Sequence, residues 1–363
     1  MFFLEKTRSW YGRFERPISS ISLILGFVFD AFTLKRVDTL WENFWILGHI
    51  IIVGIFIVLI HIKENEAGDE KNPDKFHFWY VNILQFFFGG LLSSYLVFYF
   101  RSGDIFVTWP FILILVFAFW ANESLKRQYV RFSFQVSLLF LSVFLFLIFL
   151  LPVLMHQIGT RVFLLSGLFS LIFITFFISV LLYFIKDRFK ENIKLIFYLI
   201  LSIYGLVNFL YFTNLIPPIP LSLKDGGIYH SIDKDNNGNY NVTYEDYGWG
   251  RYFNLYPDFK ETPTSSVYAY SAIFSPQNLN LTILHEWQYY DKLEKKWITD
   301  FVISLKVVGG RDGGFRTFST RSDLIPANWR VNIKTEGGLN IGCLRFNILA
   351  VNTEPALLSD IKK

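Results

Sequence analysis

Two ionisable side chains lie inside apolar stretches of this sequence, where a charge is costly and therefore marks a candidate site. Asp30 is four residues from the end of the run Pro17–Leu34, and His49 is five residues from the start of the run Phe44–Ile62. At 1.5 Å of rise per helical residue, each sits about 6 to 8 Å below one common surface. A carboxyl and an imidazole at matching depth can serve as an acid and a base. Arg36, Arg101 and Asp104 fall at the surface above them, and the arginines carry planar donor forks suited to a phosphate or carboxylate. The plainer expectation is structural: Asp30 pins a helix end by pairing with a nearby cation, and His49 bonds across a helix interface. Either way, Asp30 should face other helices with His49 or Arg101 in reach, because an unpaired buried carboxylate is expensive. Deeper in the apolar runs, Gln85 and Asn122 are scattered polar groups, and Gly89-Gly90 allows close helix approach.

A second set of chemistry-bearing residues lies near the C-terminus. His285, Arg311 and Arg316, with Trp287 and Trp329, mix aromatic faces with planar donors, a combination that can stack on a sugar ring or hold a carboxylate. His285 and Trp287 share strand parity with Leu281 and Ile283, which predicts Trp287 in a core. A third set, Asp233, Asp235 and Asn237 followed by Gly238, matches the opening positions of a calcium loop. The glutamate that such a loop needs at its twelfth position is replaced by Tyr244, so a polar hairpin tip is the simpler reading and calcium the alternative. No other cofactor is expected. Walker, GxGxxG, HExxH and GxSxG patterns are missing from the sequence, which argues against an ATP-driven machine.

The elements that must position these residues divide the chain in two. Of the 363 residues, 53% are hydrophobic and only 18% charged, against about 25% charged in a soluble domain. Spanning a bilayer takes roughly 20 apolar residues. Seven runs qualify: Pro17–Leu34, Phe44–Ile62, Trp79–Phe100, Ile105–Ala121, Phe132–Met155, Val162–Ile185 and Lys194–Thr213. The fourth is the weakest, with Pro110 near its start. The short links carry 14 Lys and Arg on one side and four on the other, which predicts a cytoplasmic N-terminus and an extracytoplasmic C-terminus. The first run lacks a cleavage pattern and is expected to be a retained anchor. The expected organisation is a seven-helix transmembrane domain over 1–214, a proline-rich linker over 215–221 and a soluble domain over 222–363.

Beyond the linker, alternating segments separated by Gly, Pro and Asn turns predict an all-β sandwich of immunoglobulin-like or fibronectin-like type. Trp297, Phe301, Ile303 and Leu305 share one parity, as do Trp329, Val331 and Ile333, and Leu344, Phe346 and Ile348; these faces are expected to form the core. A hairpin is expected to join Tyr229–Ile232 to Tyr240–Tyr244. The soluble half carries equal numbers of acidic and basic groups, 16 each, and so offers no electrostatic footprint for nucleic acid. A single cysteine, Cys343, precludes a disulfide within the chain.

Several stretches resemble a bacterial family catalogued as domain of unknown function 2914. In the soluble half these are His285-Glu286-Trp287, Gly309-Gly310-Arg311, Phe315 through Ser319, Asn328 through Val331 and Gly342 through Phe346. The membrane half is similar to multispan members at Gly26 through Asp38, at Gln85 through Gly90 and at Tyr99 through Ser102. The resemblance implies a bacterial envelope protein of the inner membrane and supplies no reaction.

These observations favour a multi-pass membrane protein, not an enzyme, that presents a periplasmic β-sandwich to a glycan, peptide or protein ligand. The alternative is a membrane-embedded enzyme or flippase acting on a lipid-linked substrate, with Asp30 and His49 as acid and base and Arg36 and Arg101 as phosphate clamps. A secondary transporter ranks third, since no inverted repeat is visible.

Overall fold

The computed structural model describes residues 21, 24–36, 38–66, 75–124, 131–184, 186–236, 238–246, 248, 254–262, 265–353 and 355–362. The start of the first predicted span and Asn237 lie outside these residues. The chain separates into a helical unit, residues 1–101 and 108–216, and a β unit, residues 217–363 together with 102–107.

The helical unit contains α1 (Ile24–Thr33), α2 (Leu40–Glu66), α3 (Lys75–Arg101), α4 (Ile105–Ser124), α5 (Phe132–Met155), α6 (Thr160–Phe184) and α7 (Lys186–Phe212). Helices α2 to α7 are each long and apolar enough to cross a membrane; the described part of α1 is shorter. Pro110 sits in the second turn of α4, and the helix runs through it. Helix α5 is the centre of the unit, with most of its side chains buried, and it packs against α2, α3, α6 and α7. Its backbone is held from the side. The Tyr95 hydroxyl donates to the Ser142 carbonyl at 2.6 Å, Tyr99 to Leu145 at 3.1 Å, and Ser166 to Leu147 at 3.0 Å. His61 Nε2 meets Gln135 Oε1 at 2.9 Å. Such bonds matter between apolar helices, because lipid supplies no competing partner.

The β unit has eleven described strands: β1 (Ser222–Tyr229), β2 (Ser231–Lys234), β3 (Tyr240–Glu245), β4 (Asp258–Glu261), β5 (Ser266–Phe274), β6 (Leu281–Asp291), β7 (Lys296–Val307), β8 (Phe315–Ser322), β9 (Asn328–Thr335), β10 (Asn340–Ala350) and β11 (Leu357–Lys362). They form three sheets, ordered β1-β5-β8, β4-β10-β9-β6-β7 and β11-β3-β2. Of the proline-rich linker expected over 215–221, residues 217–221 group with this unit and are buried.

Two sheets had been the simplest expectation, and the third changes the pattern of burial. Val267 and Ala269 on β5 join Trp287, Trp329, Val331, Phe346 and Ile348 of the five-stranded sheet in one core. Tyr270 and Ala272, of opposite parity, pack with Ile232 and Val242 of the third sheet. Strand β5 is thus covered on both faces, which is why its second half is buried without alternation. The expected hairpin is present as β2 and β3, antiparallel with Lys234 opposite Tyr240.

One predicted face does not hold. Opposite the pair Trp287 and Gln288, β7 supplies Phe301 and then Thr299, so Asp300 is an extra residue. This bulge reverses the alternation and sends Trp297 to the face opposite Phe301. Strand β7 also lies at the sheet edge, beyond the reach of the facing core, so Phe301 stays 44% exposed. Trp329, by contrast, is 2% exposed and its Nε1–H donates to the Ile325 carbonyl at 2.9 Å. Trp329→Ala is expected to lower the stability of the β unit by about 3–5 kcal/mol, and Phe301→Ala by about 1 kcal/mol or less. Denaturant unfolding of the full chain, followed by tryptophan fluorescence, checks the contrast; equal shifts would contradict this core.

Candidate functional site

The helical unit contains a partly open cavity of about 530 Å³, lined by residues of α1, α2, α3 and α4. Asp30 and His49 both line it, so the structure brings together the two side chains singled out by their depth in the apolar runs. Gln85 and Asn122, scattered in the sequence, line it as well and tie α3 to α4. Gln85 Nε2 donates to the Asn122 carbonyl at 2.9 Å, and Asn122 Nδ2 to the Gln85 carbonyl at 3.5 Å. Asn82 and Ser93 complete the polar lining. Their spacing carried no signal, because a lone Asn or Ser in an apolar helix is indistinguishable from packing.

Gly90 explains how the His49 ring fits. A Cβ on Gly90 would lie 3.0 Å from both Cδ2 and Nε2 of His49, so the absent side chain is the space the imidazole uses. The ring is fixed from its other side by Nδ1, 2.9 Å from the Trp45 carbonyl.

The arginines expected above this pair are engaged elsewhere. Arg101 donates from Nη1 to the Leu34 carbonyl and from Nη2 to the Ala31 carbonyl. It therefore caps the C-terminal end of α1, where helix carbonyls lack intrahelical partners, and does not pair with Asp30. Arg36 grips the Asp38 carboxylate through Nε at 2.9 Å and Nη2 at 2.6 Å. Asp104 belongs to the segment grouped with the β unit, where its Oδ2 lies 3.5 Å from Arg345 Nη2. Arg36, Arg101 and Asp104 thus do not converge on the cavity that holds Asp30 and His49, and none is among its lining residues.

The residues expected to bind a ligand on the β unit disperse as well. His285 is fully buried, between the five-stranded sheet and the sheet of β1, β5 and β8. Its Nε2 lies 2.9 Å from Ser271 Oγ and its Nδ1 2.8 Å from Ser319 Oγ, which also accepts from Trp287 Nε1–H at 3.0 Å. It is an internal clamp and not a ligand group, a correction that follows from its inward parity beside Trp287. Arg316 donates to the Lys362 carbonyl at 2.9 Å and lies over the Tyr240 ring, while Arg311 lies over Phe315. At the predicted calcium loop, Asp235 closes the turn by accepting from the backbone N–H of Asn239 at 2.7 Å. Among the described residues, no group of three or more His, Cys, Asp or Glu is placed to hold a metal. Burial pushes the Cys343 thiol up to about 11, which disfavours a thiolate at neutral pH.

A different surface has converged, on the outward face of the five-stranded sheet. The bulge puts Trp297 there, 5.4 Å from the Tyr290 ring and stacked at 6.2 Å with Tyr256, and Arg330 lies 4.2 Å over its ring. Arg330 Nε donates to Gln288 Oε1 at 2.7 Å, which also receives Asn332 Nδ2 at 3.1 Å. Asn332 reaches on to Glu286 Oε2 at 3.1 Å, and Lys334 Nζ bonds the same oxygen. Burial opposes ionisation of Glu286, but the bonds from Lys334 and Asn332 outweigh it and hold the carboxyl below its usual range. Sequence reasoning missed this set because it assigned Trp297 to the core. The signal lay in Glu286, Gln288, Arg330, Asn332 and Lys334, which alternate with the core positions on β6 and β9.

Residues 280–348 match the family model described as Protein of unknown function (DUF2914). The matched segment contains His285, Trp287 and, apart from Tyr256, every residue named on the outward face. No curated protein matches the chain. Among solved structures, Pseudomonas fluorescens alkylpurine DNA glycosylase AlkC bound to DNA containing an abasic site analog aligns with 11% identity, over 87% of this chain and 98% of that chain. Its TM-score of 0.19 carries no argument about fold or activity.

Burial pushes the His285 imidazole down to about 4 from 6.5. Below pH 6.5 an unfolded chain takes up a proton that the folded chain refuses. The contribution of this group is therefore complete above about pH 6.5 and is lost as pH falls toward 4, at up to about 1.4 kcal/mol per pH unit. Glu261, pushed up to about 7 by burial, acts in the opposite sense, because the folded state keeps its proton. The His285 effect is thus read by difference. His285→Gln is expected to be less stable than the native chain at pH 7, with the gap narrowing by about 2 kcal/mol at pH 4.5. Urea unfolding at the two pH values checks this, and a gap independent of pH would contradict it.

Proposed function

We propose that this chain is a multi-pass protein of a bacterial inner membrane that presents a β-sandwich, extended by a third sheet, as an extracytoplasmic glycan-binding module. The observation that carries the reading is the outward face around Trp297. Here Trp297, Arg330, Glu286 and Lys334, all part-exposed, form one connected array with the buried Gln288 and Asn332. A sugar ring offers an apolar C–H face for contact with an aromatic ring and hydroxyls that both donate and accept. The array supplies the complement at its part-exposed members, with donors on Arg330 and Lys334 and an acceptor on Glu286, held in place by the buried pair Gln288 and Asn332. The excess of Lys and Arg on one side of the helical segments supports an extracytoplasmic placement.

The flippase or lipid-phosphate enzyme is the weaker reading, since Arg36 and Arg101, its phosphate clamps, are committed to Asp38 and to the end of α1.

The expected result with the full chain in lipid nanodiscs, on an array of bacterial envelope glycans, is retention of at least one polysaccharide class. Trp297→Ala and Arg330→Ala should each weaken it tenfold or more, the scale of an aromatic or arginine hot spot, with the melting temperature little changed. Retention of envelope peptides alone, or glycan retention unaffected by both substitutions, would overturn the reading. A periplasm-active reporter fused after Asp360 is expected to be active; activity only of a cytoplasmic reporter would overturn the placement.

A further inference from the structure

The geometry points to the cavity between α1, α2, α3 and α4 as a binding site for a neutral, hydroxyl-bearing lipid that enters from the side, out of the bilayer. The inference rests on the membrane reading of the helices and is independent of the glycan reading of the β unit. Three observations carry it.

The first is where the cavity opens. Phe29, Phe44 and Phe86 line it and are 57%, 63% and 64% exposed, so its rim lies on the apolar perimeter of the helical unit. A ligand crossing that rim arrives through hydrocarbon. The remaining apolar wall, from Phe27, Trp45, Ile52, Phe87 and Phe119, suits a chain or fused-ring body.

The second is the sign of the polar groups at the inner end. Asp30, His49 and Gln85 are buried. The carbonyl of Trp45 can only accept, so His49 Nδ1 carries the proton shared at 2.9 Å and Nε2 of the neutral ring is an acceptor. Gln85 gives its amide N–H to the Asn122 carbonyl, which leaves Oε1 as an acceptor. The Asp30 carboxylate adds two acceptor oxygens. Ser93 and Asn82, which also line the cavity, can donate as well as accept, so the polar set as a whole suits a hydroxyl, which does both, over an ammonium, which only donates.

The third is charge. No Lys or Arg is among the described residues lining the cavity. A phosphate or carboxylate head would meet Asp30 without a counter-charge, at a cost that excludes it from such a site. The volume of about 530 Å³ accommodates a molecule of some fifteen to twenty carbons, but not a whole phospholipid with two chains.

The test uses the full chain in phosphatidylcholine nanodiscs with three probes of one tail: farnesol, farnesyl phosphate and farnesylamine. Native mass spectrometry counts what stays bound, and competition gives relative affinity. Farnesol is expected to be retained one per chain, and farnesyl phosphate to bind at least tenfold more weakly. Gly90→Val should displace the His49 ring and weaken farnesol at least tenfold. Asp30→Asn, which keeps the shape but adds donors, should weaken it several-fold with little change in melting temperature, so a folding defect in the first variant leaves the second to decide. No farnesol retained, equal or tighter binding of the phosphate, tighter binding of the amine, or unchanged farnesol binding in Asp30→Asn would each overturn the inference.

Discussion

A polar group withdrawn from water must find its partner inside the protein, and this requirement shapes both units. In the helical unit it is met sideways, between helices. Tyr95 and Tyr99 place hydroxyls on the backbone of α5, Gln85 and Asn122 exchange amide bonds between α3 and α4, and Arg101 closes the end of α1. Dispersion alone leaves apolar helices free to slide in lipid; these bonds fix their register. In the β unit the same requirement is met by His285, held between Ser271 and Ser319 where two sheets face one another. An apolar residue there would pack as well but would take from the Ser271 hydroxyl its bond to the ring and leave Ser319 only the Trp287 N–H.

The same constraint separates structure from function in this molecule. Wherever a charged group is paired with a backbone carbonyl or a neighbouring carboxylate, as Arg36 and Arg101 are, its bonding is spent on the fold. Asp30 and His49 instead line one cavity of the helical unit, and on the outward face of the five-stranded sheet Arg330, Gln288, Asn332, Glu286 and Lys334 order one another. That face owes its composition to one extra residue. Were Asp300 paired in a regular ladder and not bulged, Trp297 would share the inward face of Phe301, and Arg330 would have no ring beside it.

Much of this was legible in the sequence. The long apolar runs and the break near Pro217 mark the helical and β units, since hydrocarbon thickness and backbone satisfaction allow few alternatives. Asp30 and His49 stood out by their depth in the apolar runs, and both line one cavity. Trp329, Val331 and Ile333 were read as core from alternation, and they are core. Alternation failed where a bulge or an edge intervened, at Trp297 and Phe301, because neither leaves a mark in residue type. It was equally silent about the third sheet, since strand β5 reads as an ordinary apolar strand whether one face is covered or two. His285 and the arginines were grouped by residue type, which says nothing about which sheet face each occupies.

Strands β1 and β2 are one length of chain that passes from one sheet to another at His230, pairing with β5 before it and with β3 after it. Tyr229 and Ile232, on either side of the crossing, are both buried against the same aromatic cluster. Two registers are therefore written on a single stretch and share one count of residues. Gaining or losing a codon between Tyr229 and Ile232 would set the two sheets out of phase, turning one interior face outward whichever sheet kept its pairing. Length variation among related chains should be rare between these two positions and common at turns such as Thr335–Leu339, where the chain reverses within a single sheet.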